Sequence, residues 1–274
     1  MGVLNAFYKE KLKVKTRKMQ SKLTKQTLFK LFNKIKKKEG WLAWVDFKII
    51  RTLMDEFDVD DFNVVEIGVH HGKSTLAFLA QNPKVSKTYI IDLFENQKEN
   101  IDFSGLGNKE LFLQNLSSLN VSLSRIKLDC RNSMDVQGSD ILNFMAKPHF
   151  FHVDGGHNFE TVQSDINLGL STIHQNGIIA VDDVFRPEWP EVSQGVFNDS
   201  GFSEFHFVPF AVGFNKTFFC HKSLVNSYQG VLRKDRQIEP YLTKVYNGNY
   251  FKALVYQEYP LPEWSILRYL VLSL

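Results

Sequence analysis

The sequence predicts an α/β protein built on a doubly wound sheet of seven strands, mostly parallel with an antiparallel edge hairpin, and helices on both faces. Three observations predict it. From residue 63 onward, short apolar runs alternate with helical stretches at the spacing of βαβ units. Those runs are continuous rather than alternating, as in parallel strands buried on both faces. After residue 184 the alternation stops, and two apolar runs flanking "VGFN" read as a hairpin.

Residues 1–39 come first, as a basic arm. They hold 13 Lys/Arg against two acids, Glu10 and Glu39, for a net of +11, whereas the remainder carries 20 basic and 28 acidic residues, a net of −8. Leu23, Leu28, Phe29, Leu31, Phe32 and Ile35 are interspersed among the lysines. The pattern suits a basic amphipathic helix with affinity for anionic membrane surfaces, a helix packed on the body, or a solvated arm. A catalytic domain over 40–222 follows. It opens with "WLAWVDFKIIRTLMDEF" (41–57), whose apolar positions 41, 44, 45, 49, 53 and 57 are spaced for a helix.

The strands expected next are "NVVEIGV", "KTYIIDLF" (87–94), "SRIKLD" (124–129), "HFFHVDG" (149–155) and "GIIAVDDV" (177–184). Helices are expected in "HHGKSTLAFLAQ", over 109–118 and over 159–175. "FSEFHFVPFA" and "KTFFCHK" form the hairpin. Residues 223–274 are a C-terminal extension ending in the apolar "WSILRYLVLSL", which reads as a docked helix or a contact between copies, so a homo-oligomer is expected.

Composition excludes several classes. With 43% hydrophobic residues and 24 Phe among 274, the chain can bury a full core and is not disordered. Two cysteines, Cys130 and Cys220, are too few for a disulfide framework, and a cytoplasmic location is expected. No run of 18 apolar residues reads as a spanning helix, and no apolar signal-peptide core is present. "MGVLNA" opens like an acylation site, but Ala6 stands where Ser or Thr is needed.

The chemistry concentrates in two places. The first is "VVEIGVHHGKST", which puts Glu66, Gly68, Gly72 and Ser74 at a strand end and the opening of a helix. Glycines there admit a ligand close to the backbone, and free N–H groups face it. The three-glycine dinucleotide fingerprint is absent, because His70 interrupts it. The next strand ends in Asp92, the position from which a doubly wound fold reads a ribose hydroxyl pair.

These residues resemble the class I S-adenosylmethionine-dependent methyltransferases, whose Rossmann-like sheet carries an acid and G-x-x-x-G on strand one and an acid ending strand two. The resemblance spans about residues 62–222. It implies S-adenosyl-L-methionine as cofactor, with Gly68 and Gly72 at the methionine portion, Asp92 on the ribose and Glu66 beneath the amino-acid end. Asn132 and Ser133 in "DCRNS" fall where the adenine would lie.

The second place is the rim formed by Asp154, in "HFFHVDGGHNFETV", and Asp182 and Asp183, in "AVDDV". Neighbouring parallel strands would bring the three carboxylates together, where a hard dication, Mg²⁺, would relieve their repulsion. Bound to two acceptor oxygens, such an ion lowers a hydroxyl's pKa, and His157 is placed to take the proton as general base. D-x-x-H followed by D-D resembles the metal-dependent sugar O-methyltransferases of the macrocin, mycinamicin and novobiocin type. That likeness implies Asp154, Asp182 and Asp183 as metal ligands, Asp154 also touching the cofactor, and His157 as base.

Arg186 and Trp189 in "FRPEWPEVSQGV" read as a lid over the acceptor, a sugar ring stacking well on an aromatic face. His70 and His71 read as polar filler or acceptor contacts, and Lys216 as structural or solvent-facing. The leading expectation is an O-methyltransferase acting on a hydroxyl of a sugar-containing small molecule. The alternatives are an RNA methyltransferase gripping phosphates with the arm, which the acidic body and the missing N-P-P-Y-like pattern oppose, and a non-catalytic scaffold.

Overall fold

All six residues of the first strand, β1 (Phe62–Ile67), are buried, as a central strand covered on both faces requires. The computed structural model describes residues 25–198, 201–243 and 252–260. Two helices precede β1: α1 (Lys25–Ile35) and α2 (Trp44–Glu56). The order then runs α3 (Lys73–Leu79), β2 (Val85–Ile91), α4 (Lys109–Ser118), β3 (Ile126–Asp129), α5 (Gly138–Phe144), β4 (Phe150–Val153), α6 (Phe159–Thr172) and β5 (Ile178–Asp182). It closes with α7 (Pro190–Phe197), β6 (Phe207–Val212), β7 (Lys216–His221), α8 (Val225–Lys234) and β8 (Leu254–Val255).

The strands form one sheet in the order β3-β2-β1-β4-β5-β7-β6-β8. β1 to β5 are parallel, and β7 runs antiparallel to both β5 and β6. The expected count of seven becomes eight, because Leu254–Val255 adds a two-residue strand parallel to β6. Nothing in the mixed composition of the tail signals so short a strand.

Side chains alternate between two cores. Phe62, Val64, Ile90, Phe150 and Ile178 join the core under α1 to α4 and α8, whereas Val65, Ile91, Phe151, Val153 and Ile179 join the one under α5 to α7. In α1, Leu28, Leu31, Phe32 and Ile35 are buried, and the Phe32 ring lies 5.2 Å from Trp44 and 5.4 Å from Phe47. The apolar stripe of residues 25–35 therefore packs on the body. Residues 1–24 and the "WSILRYLVLSL" segment lie outside the described residues. Among the described residues, no helix is long and apolar enough to cross a membrane. Both cysteines are free.

From β1 the chain winds one way through β2 and β3, and the other way through β4 and β5. The reversal falls between β1 and β4, and the crevice beyond their C-terminal ends is where such a sheet receives a ligand.

Candidate active site

Gly68 and Asp154 follow β1 and β4, so they flank that crevice. They touch: a Cβ on Gly68, whose φ is +74°, would stand 1.7 Å from the Asp154 carbonyl oxygen. Only glycine fits here. Beside this contact opens a cavity of about 450 Å³, lined among others by Gly68, Ser74, Asp92, Asn132, Ser133 and Asp154. His157, Asp182, Asp183, Arg186 and Trp189 line it too. Eleven of the residues expected at the site thus come together.

Glu66 and Gly72 do not face the cavity. Glu66 is fully buried, accepting a hydrogen bond from Thr75 Oγ1 (2.6 Å) and pairing with His152 Nδ1 (2.9 Å). Gly72 precedes α3 with φ +82°, and a Cβ on it would meet the Phe112 ring at 2.8 Å. Its glycine serves packing and backbone shape. Asp92 lines the cavity but is already occupied: Oδ2 accepts from Val69 N (2.6 Å) and His70 N (3.0 Å), and Oδ1 from Phe94 N (2.6 Å). A carboxylate offers about four acceptor positions, so roughly one is left for a ribose hydroxyl. Burial raises the Asp92 carboxyl above its ordinary range, against those three N–H bonds.

The acids at the rim separate into two groups that share Asp154. Its carboxylate lies within 4.8 Å of the donor atoms of His157 and Asp183, and also of those of His152 and Asp182. Of the expected set of Asp154, Asp182 and Asp183, Asp182 has two cationic partners. Its Oδ2 contacts the ammonium of Lys216, Asn215 Nδ2 donates to it at 2.9 Å, and Oδ1 lies 2.9 Å from His152 Nε2. Lys216, read from sequence as structural or exposed, is completely buried. Burial opposes its charge, but Asp182 and Asp154 outweigh it and hold the ammonium well above the ordinary lysine range. His152 is likewise fully buried, and its pairing with Asp182 and Glu66 overcomes burial and Lys216 to push it up to about 9. Its Nε2 also stands 3.0 Å from Lys216 Nζ. Two donors cannot bond one another, so the protonated ring gives that hydrogen to Asp182. Burial first, then the Asp182 charge, raises the Asp154 carboxyl well above its ordinary range.

His157 sits between two carboxylates. Asp102 Oδ2 lies 2.7 Å from its Nδ1 and accepts from its backbone N–H at 2.7 Å, while Asp183 Oδ2 lies 3.2 Å from Nε2. Burial disfavours the imidazolium, but the hydrogen bonds with Asp102 and Asp183 prevail and push it up to about 9. Asp102 goes the other way: burial is outweighed by hydrogen bonds from His157 and Ser104, which hold the carboxyl well below its usual range. Asp183 is in the left-handed region, φ 59°, which turns it out of line with Asp182. Trp189, expected against an acceptor, stacks on the His157 ring with centroids 4.3 Å apart at 18°. Arg186 pairs with Glu188 (3.1 Å) and lies over the Phe214 ring.

Residues 65–184, somewhat under half of the chain, match the family described as methyltransferase domain. Over this stretch the chain is similar to methyltransferase domains. Over 154 residues the chain is 29% identical to the uncharacterized protein R132 of Acanthamoeba polyphaga mimivirus, covering 55% of this chain and 64% of that protein. The match thus spans just under two thirds of that relative's length. Among solved structures, the methyltransferase domain resembles the O-methyltransferase NovP (TM-score 0.50, 10% identity, 64% of this chain and 77% of that one). It also resembles a Klebsiella pneumoniae protein assigned as an O-methyltransferase (TM-score 0.50, 15% identity, 71% and 89%). At those identities the likeness is one of fold.

Asp102, Ser104 and His152 escaped the sequence reading, and Lys216 was read there without its partner. His152 and Lys216 did leave a trace, each being a polar residue inside an otherwise apolar strand. Asp102 left none, since 95–108 has no periodicity.

Proposed function

We propose that the protein is an S-adenosylmethionine-dependent O-methyltransferase acting, with Mg²⁺ assistance, on a hydroxyl of a sugar or glycosylated small molecule. The line from Asp102 through His157 to Asp183, beside the Gly68–Asp154 crevice, carries this reading. A basic nitrogen fixed by a carboxylate behind it is what proton removal from a hydroxyl needs.

The cofactor supplies a sulfonium methyl group, and the cavity volume lies within the range usual for small-molecule sites. Gly68 leaves the backbone bare for its methionine end, and Ser133 and Asn132 stand where its base would lie. Asp154 and Asp183 offer the oxygen ligands a hard dication takes, with Asp182 behind them already balanced by Lys216. Bound there, Mg²⁺ would grip vicinal acceptor oxygens and lower the hydroxyl's pKa.

The chain's own residues do the rest. Asp102 fixes the Nδ1 proton and so the tautomer, and with Asp183 drawn to the metal Nε2 would be released from its contact with that carboxylate and free to face the acceptor. His157 takes the hydroxyl's proton there as oxygen displaces the methyl from sulfur in line. Trp189 covers one imidazole face and holds the ring in register with the acceptor. Amides of Gln97, Asn100, Asn158 and Asn215 on the wall suit a polyhydroxylated acceptor. The net acidity of residues 40–274 opposes a nucleic-acid acceptor.

Calorimetric titration with S-adenosylhomocysteine, followed by a panel of glycosides with Mg²⁺ read as methyl addition by mass, tests the proposal. Binding of the nucleoside and methylation of a glycoside that His157→Ala abolishes would support it. Absence of nucleoside binding, or full turnover by His157→Ala, would reject the cofactor or the base respectively. A manganese soak with no anomalous peak at Asp154 and Asp183 would reject the metal.

A further inference from the structure

The turn after β1 carries two adjacent histidines that methyl transfer does not use. Their rings stack with centroids 3.7 Å apart at 27°. His71 is only 6% exposed, and its Nδ1 is buried without a hydrogen-bond partner, as is Nδ1 of His70. A buried nitrogen left unpaired is costly, so two side by side call for an occupant. Glu39, from the connector between α1 and α2, brings Oε2 to 3.3 Å from His71 Nδ1, without a hydrogen bond. The donor atoms of Glu39, His70 and His71 all lie within 4.8 Å of one another.

We propose that Glu39, His70 and His71 bind a transition-metal dication of the Zn²⁺ class at the mouth of the cavity. Two imidazoles and one carboxylate are a donor set that Zn²⁺ takes readily, with a fourth position left for water. It differs in kind from the oxygen set of Asp154 and Asp183, so the two sites discriminate between metals.

The surroundings hold the ligands in place. Asn115 Nδ2 donates to the His71 carbonyl (2.8 Å), and Lys73 Nζ donates to the Gly40 carbonyl (2.7 Å), fixing the turn and the connector. His70 has φ 51°, a left-handed value that sets its ring against that of its neighbour instead of away from it. Burial, then the neighbouring His71, lowers the His70 pKa, which favours the neutral imidazole that a metal ligand must be. Around a tetrahedral Zn²⁺ with bonds of roughly 2.0–2.1 Å the donors stand roughly 3.3 Å apart, the separation Glu39 and His71 already have, so binding requires the His70 ring to turn out of the stack and aim its nitrogen at the ion. Glu39, Gly40, Trp41 and His70 all line the cavity. The ion would therefore pin the connector across its entrance.

The test is Zn²⁺ binding by the full chain, in competition with a chromophoric chelator and with Mg²⁺ in excess to fill the oxygen site. One equivalent bound at submicromolar affinity is expected, weakened about tenfold or more by Glu39→Gln and by His71→Gln and unchanged by Asp154→Asn. Glu39 is on the surface, so its variant folds whatever becomes of His71. Co²⁺ in place of Zn²⁺ should give a visible absorption band that His70→Gln removes. Absence of binding in the micromolar range overturns the proposal. So does an equivalent that survives Glu39→Gln and both histidine variants but is lost in Asp154→Asn.

Discussion

Lys216 and Asp182 stand opposite one another in the β5–β7 ladder, and their charged groups meet where neither reaches bulk solvent. The acidic rim thus brings one cation of its own. Asp154 and Asp183 line the same cavity, Asp183 with His157 as its own partner.

Removing the ammonium should be costly. Lys216→Met keeps the length of the side chain but leaves the Asp182 carboxylate with His152 as its one cationic partner, and loss of one partner from a buried pair costs about 3–5 kcal/mol. Denaturant unfolding should show that loss, and adding Asp182→Asn to the same chain should recover part of it. A single Lys216→Met with unchanged stability would refute the pairing.

His157 should titrate near 9 in the metal-free protein, because Asp102 and Asp183 both hold its proton. Its folded pKa exceeds the unfolded value of about 6.5, so its stabilising contribution is complete below that pH and is lost as pH rises through 9. The imidazole proton resonance follows this directly. Asp102→Asn should move the midpoint downward and lower methyl transfer by about 10²-fold or more, with S-adenosylhomocysteine binding retained.

Gly68→Ala should both destabilise the fold and abolish cofactor binding. Its Cβ would overlap the Asp154 carbonyl oxygen, and φ +74° is unfavourable for alanine. A loss of more than about 3 kcal/mol is expected from thermal or denaturant unfolding; a stable variant that still binds the nucleoside would show that β1 and β4 can separate there.

Asp165, on α6, is fully buried, and only a weak contact with the Ser133 hydroxyl offsets the cost of its charge. Burial pushes it up to about 7. Its folded pKa lies above the unfolded one, so its contribution is intact below about 4 and lost as pH rises through 7. Asp165→Asn should therefore be more stable than the parent at pH 8, by about 1 kcal/mol or more, and the difference should shrink towards pH 4. Melting curves at the two pH values decide it.

The sheet was legible because its strands are buried on both faces, which writes unbroken apolar runs into the sequence. Where burial is one-sided the reading weakened: β3 begins at Ile126 rather than 124, since Leu123–Arg125 form a tight turn. Asp154, His157 and Asp183 were legible because strand ends on one rim must meet. Asp102 was not, since the 55 residues between it and His157 are closed only by the folded chain. The partner of Lys216 was hidden for a related reason. A lysine in an apolar strand is explained only once the antiparallel register sets it against Asp182.

That register also marks where the protein can be cut. The region matching the methyltransferase domain ends at residue 184, whereas the counter-charge of Asp182 arrives at residue 216. A fragment stopping at 184 would expose β5 as a bare edge and leave the Asp182 carboxylate with His152 but without its lysine. The smallest piece able to fold by itself must therefore run at least through His221, where β7 ends.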